Sequence, residues 1–239
     1  MEVVLEKQVT QSISLVPLND ASSSLARQAF AIYEVSFPVA ERDPLENLVE
    51  LIEHSGQEFA DGETVFRFWL GVAEGEVLAL SAYTYHRRRR LGFLWYMATL
   101  RTARSQGIGS WMFARTLEML RQEDQELPIG LCWEVERPSA FTDLQERQLA
   151  ERRIRFYQRN GSLLFPEIDL LTPALEDGLP DVSYHLMFYP LENQAAVTPQ
   201  RIRSLIDVIL LDSYGVEPDS IYYQRAVATL SPSQAAGSG

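Results

Sequence analysis

RSQGIGSWMFARTLEML, residues 104–120, is the most informative segment of this chain. Its second half has the apolar spacing of a helix, yet Gly107 and Gly109 stand where that helix begins. Glycine inside a helix costs about 1 kcal/mol relative to alanine. The two glycines therefore indicate either an irregular turn or a position where a ligand must approach the backbone closely.

The hydrophobic pattern on either side of this stretch predicts a mixed α/β fold. Immediately before it, LGFLWYMATL (91–100) is an unbroken apolar run of strand length, which is typical of a central strand covered on both faces. Further strands are predicted at 12–18, within 65–86 (two strands around a Gly–Glu turn), 128–138, 162–171 and 183–191, and helices at 22–37, 44–54, 110–120, 146–161, 198–214 and 220–230.

The domain organisation follows from a change of pattern after Asn193. We expect one α/β domain over residues 1–193, with a mixed central sheet of about six to seven strands and helices on both faces. A C-terminal helical extension over 194–230 and a disordered tail over 231–239 follow. The extension carries an apolar stripe that must be buried, either on its own domain or across a homodimer interface. The stripe consists of Ile202, Leu205, Ile206, Ile209 and Leu210.

Composition narrows the classes of function. The formal charge of −12 argues against general nucleic-acid binding, because phosphate contacts need clustered Lys and Arg; it favours solubility or a cationic substrate. Without an apolar run of eighteen residues or a secretory signal, we expect a cytoplasmic protein with no membrane span. The single Cys132 and three scattered histidines indicate neither a disulfide nor a metal site. The basic run HRRRR (86–90) indicates a solvated hairpin turn or a site for a phosphate or acidic partner.

The glycine pair lies between a buried strand and a helix, which is typical of an anion-binding site. There the unpaired backbone N–H groups and the positive end of the helix point to the same place. The sequence contains no P-loop string, and a dinucleotide fingerprint would need glycine in place of Met112. The pattern that remains is R-x-x-G-x-G, from Arg104 to Gly109.

This string resembles the acetyl-CoA pyrophosphate loop of the GNAT superfamily, the GCN-related N-acyltransferases. It follows a central strand ending in WYMATL, and RFYQRNG (155–161) is similar to the family's aromatic–Tyr pair a few residues before a helix-ending glycine. The order of predicted elements from residue 12 to about 191 also matches the family. Two features depart from its pattern: Ala150 stands where the family has Asn, and the loop 138–145 is longer than a typical connection.

The resemblance implies an acetyl-CoA site and a proton donor for the leaving thiolate, Tyr157. A free Tyr, with a pKa of about 10, is a weaker acid than a thiol, with a pKa of about 8.5, so Tyr157 would act as a hydrogen-bond donor to the sulfur while charge develops. The residues implied to bind the cofactor are Met97, Ala98 and Thr99, whose N–H groups would pair with the acyl carbonyl and pantetheine amides, and Arg104, Ser105, Gln106, Gly107, Ile108, Gly109 and Ser110 around the pyrophosphate.

The predicted strand GLCWEVE offers candidate bases. Alternation places the side chains of Cys132, Glu134 and Glu136 on one face. The two carboxylates repel each other, which makes it easier for one to accept a proton from an amine, and Glu134 lies deeper in the strand. They could instead pair with Arg152 and Arg153 or simply attract a cationic amine. With no His nearby in the sequence, Cys132 is expected to be a core residue, not a nucleophile.

These inferences predict an N-acetyltransferase that moves an acetyl (acyl) group from acetyl-CoA to a primary amine by direct transfer in a ternary complex. The amine would belong to a small molecule or a peptide. An alternative of a different class is a GNAT-fold module that binds acyl-CoA as a sensor without turnover and contacts a partner through its C-terminal helices. Tyr157 and the glutamate pair favour the enzyme, whereas Ala150 and the appended helices favour the alternative.

Overall fold

A computed structural model describes residues 12–175, 178–192 and 197–230. Internal contacts group the chain into two compact units. The first contains residues up to 85 together with Leu94–Gln125, and the second contains His86–Phe93 together with the residues from 126 onward. The predicted tail at 231–239 and the domain boundary at 193–194 lie outside the described residues or at their edge, so both stay predictions.

The helices and strands follow the predicted order. The strands are β1 (Ser14–Pro17), β2 (Thr64–Ala73), β3 (Glu76–His86), β4 (Leu91–Thr99), β5 (Gly130–Glu136), β6 (Leu163–Thr172) and β7 (Val182–Pro190). The helices are α1 (Ser24–Ser36), α2 (Leu45–Glu53), α3 (Ile108–Leu120), α4 (Leu144–Arg159), α5 (Pro199–Ile206) and α6 (Ile221–Ala228). Within the described ranges, none of these helices combines the length and the apolar character that crossing a membrane requires.

The seven strands form a mixed sheet in the order β1-β2-β3-β4-β5-β7-β6, which confirms the predicted fold class. The strand β1 pairs antiparallel with β2, and β7 pairs antiparallel with both β5 and β6. The strands β4 and β5 run parallel, as expected when a helix, here α3, connects two neighbouring strands. As the unbroken apolar run predicted, β4 is a central strand.

In the first unit, helices cover both faces of the strands. Phe66, Phe68 and Leu70 alternate along β2 and pack in a core that includes buried residues of α1 and α2. Met112 and Ile108 of α3 belong to a separate core cluster. A serine cap begins α1, because the Ser23 hydroxyl accepts a hydrogen bond from the Ala26 N–H at 3.1 Å.

In the second unit, β5 is covered on both faces as well. The Trp133 ring lies 4.6 Å from the Tyr157 ring of α4, measured between ring centroids. Cys132 is next to Trp133 and therefore faces the other way, and its partner across the ladder is Phe93. The Phe93 ring lies 6.4 Å from the ring of Tyr214, which follows α5. The C-terminal extension thus reaches the face of β5 opposite α4.

The extension differs from the prediction in its second half. The predicted α-helix at 198–214 is α-helical only to Ile206, and Asp207–Ser213 form a π-helical segment. The Tyr214 N–H donates to the Ile209 carbonyl at 2.9 Å, a five-residue spacing that apolar periodicity does not reveal. The predicted stripe is buried within this single chain, which favours packing on its own domain over a homodimer interface. Its members Ile202, Leu205, Ile206, Ile209 and Leu210 are all buried, as is Val208.

The basic run HRRRR forms the predicted turn between β3 and β4, with Arg90 in the left-handed region at φ +54°. Two of its arginines contact acidic side chains of the same chain. Arg89 donates to Asp207 at 3.0 Å and also pairs with Asp212, and Arg90 donates to Glu192 at 3.2 Å. For Arg89, the acidic partner is therefore provided by Asp207 and Asp212 of the C-terminal extension.

Gly130, the first residue of β5, lies so close to its neighbours that a side chain at this position would clash with them. A Cβ atom there would lie 2.3 Å from the Tyr189 carbonyl oxygen and 2.4 Å from the Phe188 ring. We expect Gly130→Ala to lower the free energy of unfolding by about 3 kcal/mol, at the upper end of typical overpacking costs, in a urea titration. The control is Gly62→Ala, whose Cβ would meet open space, so that it carries only the backbone cost of a left-handed residue at φ +67°, about 1 kcal/mol. Equal stability of the two variants would contradict the expectation.

Candidate functional site

In the first unit, the loop between β4 and α3 has the backbone of an anion site. Gly107 stands immediately before α3 with φ +86°, and Ser105, two residues earlier, has φ +64°. Such left-handed residues in a turn direct neighbouring N–H groups into one concavity. The first intrahelical bond runs from the Trp111 N–H to the Gly107 carbonyl at 2.9 Å, so the N–H groups of Ile108–Ser110 precede the helical ladder. These donors and the helix dipole favour a phosphate.

Arg104 and its neighbours lie at the exposed side of this loop. The Arg104 Nε donates to the Thr99 carbonyl at 3.2 Å, which ties the loop to the end of β4. The Gln106 amide donates to the Thr102 carbonyl at 3.1 Å. Arg104, Ser105 and Gln106 are exposed. The arrangement supports the predicted phosphate role of Arg104, which stays a prediction.

Met97, Ala98 and Thr99 are the last three residues of β4. The ladder between β4 and β5 consists of three pairs and ends at Phe93 with Cys132, whereas β4 continues for six more residues. Hydrogen bonding to the β3 side extends beyond the strand, because the Leu100 N–H donates to the Leu78 carbonyl at 2.8 Å. The predicted donor role of Met97–Thr99 toward an acyl group stays a prediction.

In the second unit, the two candidate bases have different partners. Glu136 is buried, with 8% of its surface exposed, and pairs with Arg153 of α4. The alternative of a glutamate–arginine pair therefore holds for Glu136. The guanidinium of Arg153 therefore occupies this carboxylate, whose oxygens are less available to an attacking amine. Glu134, the other candidate base, has a different environment from that of Glu136.

Glu134 lies on the face of β5 that the extension covers. The Tyr214 hydroxyl interacts with its carboxylate. Burial raises the pKa of Tyr214 well above its usual range, and the Glu134 charge acts in the same direction. Burial, reinforced by the charge of Glu134, likewise raises the pKa of the Cys132 thiol. Cys132 is fully buried and its Sγ lies 3.4 Å from the Gly92 carbonyl oxygen, as expected of a core residue.

Tyr157 lies in the last turn of α4, and the predicted glycine cap fixes that turn. Gly161 has φ +91°, which lets the chain reverse so that the Ser162 N–H donates to the Tyr157 carbonyl at 3.0 Å. The side chain is 6% exposed. Burial raises the pKa of Tyr157 to about 12, with Arg153 acting in the opposite direction. The hydroxyl is therefore protonated at neutral pH and can donate a hydrogen bond.

Tyr157 and Glu134 lie on opposite faces of β5. Tyr157 contacts Trp133, and the side chains of Trp133 and Glu134 alternate. Ala150, in place of the Asn of the GNAT pattern, is a buried residue of α4. Sequence reasoning missed Tyr214, because it belongs to the extension outside the family pattern and no local motif marks it.

Comparisons with known proteins give structural matches. No family model and no curated protein sequence matches the chain. A protein from Bacteroides thetaiotaomicron described as a GNAT-family acetyltransferase is 23% identical and matches with a TM-score of 0.63, covering 86% of this chain and 100% of its own. A GNAT-family acetyltransferase from Desulfovibrio desulfuricans is 13% identical, with a TM-score of 0.51 and coverages of 75% and 99%. A ribosomal-protein-alanine N-acetyltransferase from Brucella melitensis is 18% identical, with a TM-score of 0.50 and coverages of 74% and 99%.

The chain therefore has the fold of the GNAT superfamily, as the R-x-x-G-x-G string and the element order indicated. At these identities the likeness establishes the fold, and function must be argued from the residues themselves. Those residues are an anion-binding helix start in the first unit, and a buried Tyr with two differently partnered glutamates in the second.

Proposed function

We propose that the protein is an acyl-CoA-dependent N-acetyltransferase that transfers an acetyl group from acetyl-CoA directly to a primary amine. The observation that carries the proposal is the left-handed Gly107 at the start of α3, directly after the central strand β4. A GNAT fold with this loop has backbone donors suited to the pyrophosphate of CoA. The GNAT acetyltransferases among the structural neighbours support acyl transfer as the reaction class.

The proposal gives the first unit the task of binding. The N–H groups of Gln106–Ser110 would hold the pyrophosphate, with the Arg104 guanidinium as a charged partner. Those of Met97–Thr99 would donate to the acyl carbonyl and pantetheine amides, where a donor aimed at developing charge is worth about 3 kcal/mol. When bound, acetyl-CoA supplies the activated thioester.

The second unit would manage the protons. Tyr157 keeps its proton at neutral pH, since its pKa is about 12, and would donate a hydrogen bond to the sulfur as it leaves. Glu134, which lies on the opposite face of β5 from Tyr157, would accept the proton of the attacking amine through water. Glu136 would hold Arg153 instead of acting as a base. A covalent acyl-enzyme is disfavoured because Cys132 is buried and its thiol pKa is raised, so direct transfer remains.

The test is release of free CoA from acetyl-CoA in the presence of a panel of amines. The panel should contain polyamines, lysine-containing peptides and a peptide with an N-terminal alanine, because one structural neighbour is described as a ribosomal-protein-alanine N-acetyltransferase. We expect at least one amine to stimulate release. Tight acetyl-CoA binding without stimulation by any amine would favour the sensor over the enzyme.

Glu134→Gln separates a base from a simple attraction for cations. With an accepting amine found in the panel, we expect kcat at pH 7 to fall by about tenfold, less than a typical general-base effect because water can take over part of the proton transfer. The loss should shrink as the pH rises, since more of the amine is then already neutral. The measurement is a pH–rate profile from pH 6 to 10.

Glu136→Gln is the matched control for this experiment. It also replaces a β5 carboxylate by an amide, but the carboxylate it removes pairs with Arg153. We expect it to lower the melting temperature while the shape of the pH–rate profile is retained. A Glu134→Gln variant with unchanged kcat and a raised KM would show that Glu134 attracts a cationic amine and is not the base.

A further inference from the structure

The C-terminal extension is anchored to the second unit by polar contacts on several sides. Asp207 and Asp212 receive Arg89 from the turn after β3. Ser213 lies within hydrogen-bond distance of the His86 imidazole, at 3.2 Å. Farther along, Arg225 of α6 donates to Asp169 of β6 at 2.7 Å. Together with the buried apolar stripe, these contacts make the extension part of the unit's packed structure.

The π-helical segment determines where Tyr214 lies. Val208, Ile209 and Leu210 are fully buried, so the segment is fixed against the unit. Tyr214 ends it, with its N–H bonded to the Ile209 carbonyl at 2.9 Å, and its ring packs near that of Phe93. Because Phe93 pairs with Cys132, the ring lies over the face of β5 that carries Glu134.

The Tyr214 hydroxyl meets Glu134 at this face. It interacts with the Glu134 carboxylate and with Thr172 of β6. Among the described residues, other titratable groups at this contact are Cys132 and Glu136 on β5, together with Tyr184 on β7, which acts on Tyr214 and pairs in register with Glu136. Glu136 is paired with Arg153, and burial keeps the Cys132 thiol protonated. Tyr214 is therefore the donor from the extension that acts on the Glu134 carboxylate.

We propose that Tyr214 is a positioning residue: its hydroxyl fixes the orientation of the Glu134 carboxylate and holds it in the ionised form. The proposal rests on the proposed function in that the ionised carboxylate is what a base for the amine requires. The extension is thereby assigned to the acceptor side of the reaction, as a part of the catalytic domain and not as a docking module. A hydroxyl that donates to a carboxylate favours the charged form.

The test is Tyr214→Phe, which keeps the ring against Phe93 and removes the hydroxyl. In protein labelled with ¹³C at the glutamate carboxyls, the Glu134 resonance is identified by its absence from Glu134→Gln. We expect its titration midpoint to rise by about one pH unit in Tyr214→Phe, as the loss of a hydrogen bond to a charged group implies. The acid limb of the pH–rate profile should move to higher pH by the same amount, with CoA affinity unchanged.

Tyr222→Phe is the matched control, because it removes another hydroxyl of the extension, one that donates to Asp181 at 3.1 Å. It should change neither the resonance nor the profile. An unmoved Glu134 resonance in a folded Tyr214→Phe protein would overturn the proposal. A moved resonance with an unmoved pH–rate profile would support the Tyr214–Glu134 interaction and refute Glu134 as the base, so the two proposals fail separately.

Discussion

Tyr157→Phe should lower kcat by about 10²-fold while the affinity for acetyl-CoA stays nearly constant. The variant keeps the ring that packs on Trp133 and removes only the hydroxyl. A hydrogen bond to the leaving sulfur strengthens as negative charge develops there, so its loss raises the barrier without weakening ground-state binding. The measurement is steady-state kinetics with an accepting amine, together with calorimetric titration of acetyl-CoA.

The pH dependence of this loss tests the role more sharply. Because burial raises the pKa of Tyr157 to about 12, the hydroxyl stays protonated in the folded protein through pH 10, where an ordinary Tyr would be half ionised. The ratio of wild-type to variant kcat should therefore be constant from pH 6 to 10. Full turnover in Tyr157→Phe would remove the residue from the mechanism, and a ratio that declines toward pH 10 would contradict the protonated state.

Gly107→Val should weaken CoA binding by about 100-fold. A β-branched residue at φ +86° is strongly disfavoured, with a backbone cost of about 1–3 kcal/mol. If the binding loop distorts to relieve this strain, that cost alone corresponds to a loss of CoA affinity of roughly 5- to 150-fold. The added side chain also occupies space next to the N–H groups at the start of α3. Isothermal titration with CoA measures the effect without requiring an acceptor amine.

Gly75→Val is the matched control for backbone strain. Gly75 belongs to the same unit, in the turn between β2 and β3, and has φ +82° with open space around its Cβ direction. Both variants should lose thermal stability, but only Gly107→Val should lose CoA affinity. Unchanged affinity in Gly107→Val would remove the main support for an acyl-CoA site, and equal losses in both variants would attribute the effect to general destabilisation.

Much of the fold could be predicted because its signals are local. Ser23 caps α1 with its own side chain, Pro44 directly precedes α2, and Gly161 supplies the left-handed residue after α4. The strands are apolar runs bounded by turn residues, and the loop at Arg104–Ser110 combines a short motif with its place between a strand and a helix. Each of these features depends on neighbours within a few residues.

The features that sequence reasoning missed or left open depend on contacts between distant residues. Which glutamate pairs with an arginine depends on how Arg153 reaches from α4 to the end of β5. Arg89 and Asp212 are 123 residues apart, and no periodicity links them. The π-helical segment arises where buried side chains must be accommodated, a tertiary effect that helical spacing does not encode.

The tight packing of Gly130 has a consequence for the chemistry four residues away. A strand that slips by one residue against its neighbour turns every side chain to the other face of the sheet. Gly130 pairs with Pro190, and the nearby Tyr189 carbonyl and Phe188 ring leave room only for glycine at this position, which fixes the register of β5 against β7. Gly130 thus helps to determine that the Glu134 carboxylate faces Tyr214 and that the Trp133 indole faces Tyr157. A redesign that moves the carboxylate to the α4 face must move this glycine with it.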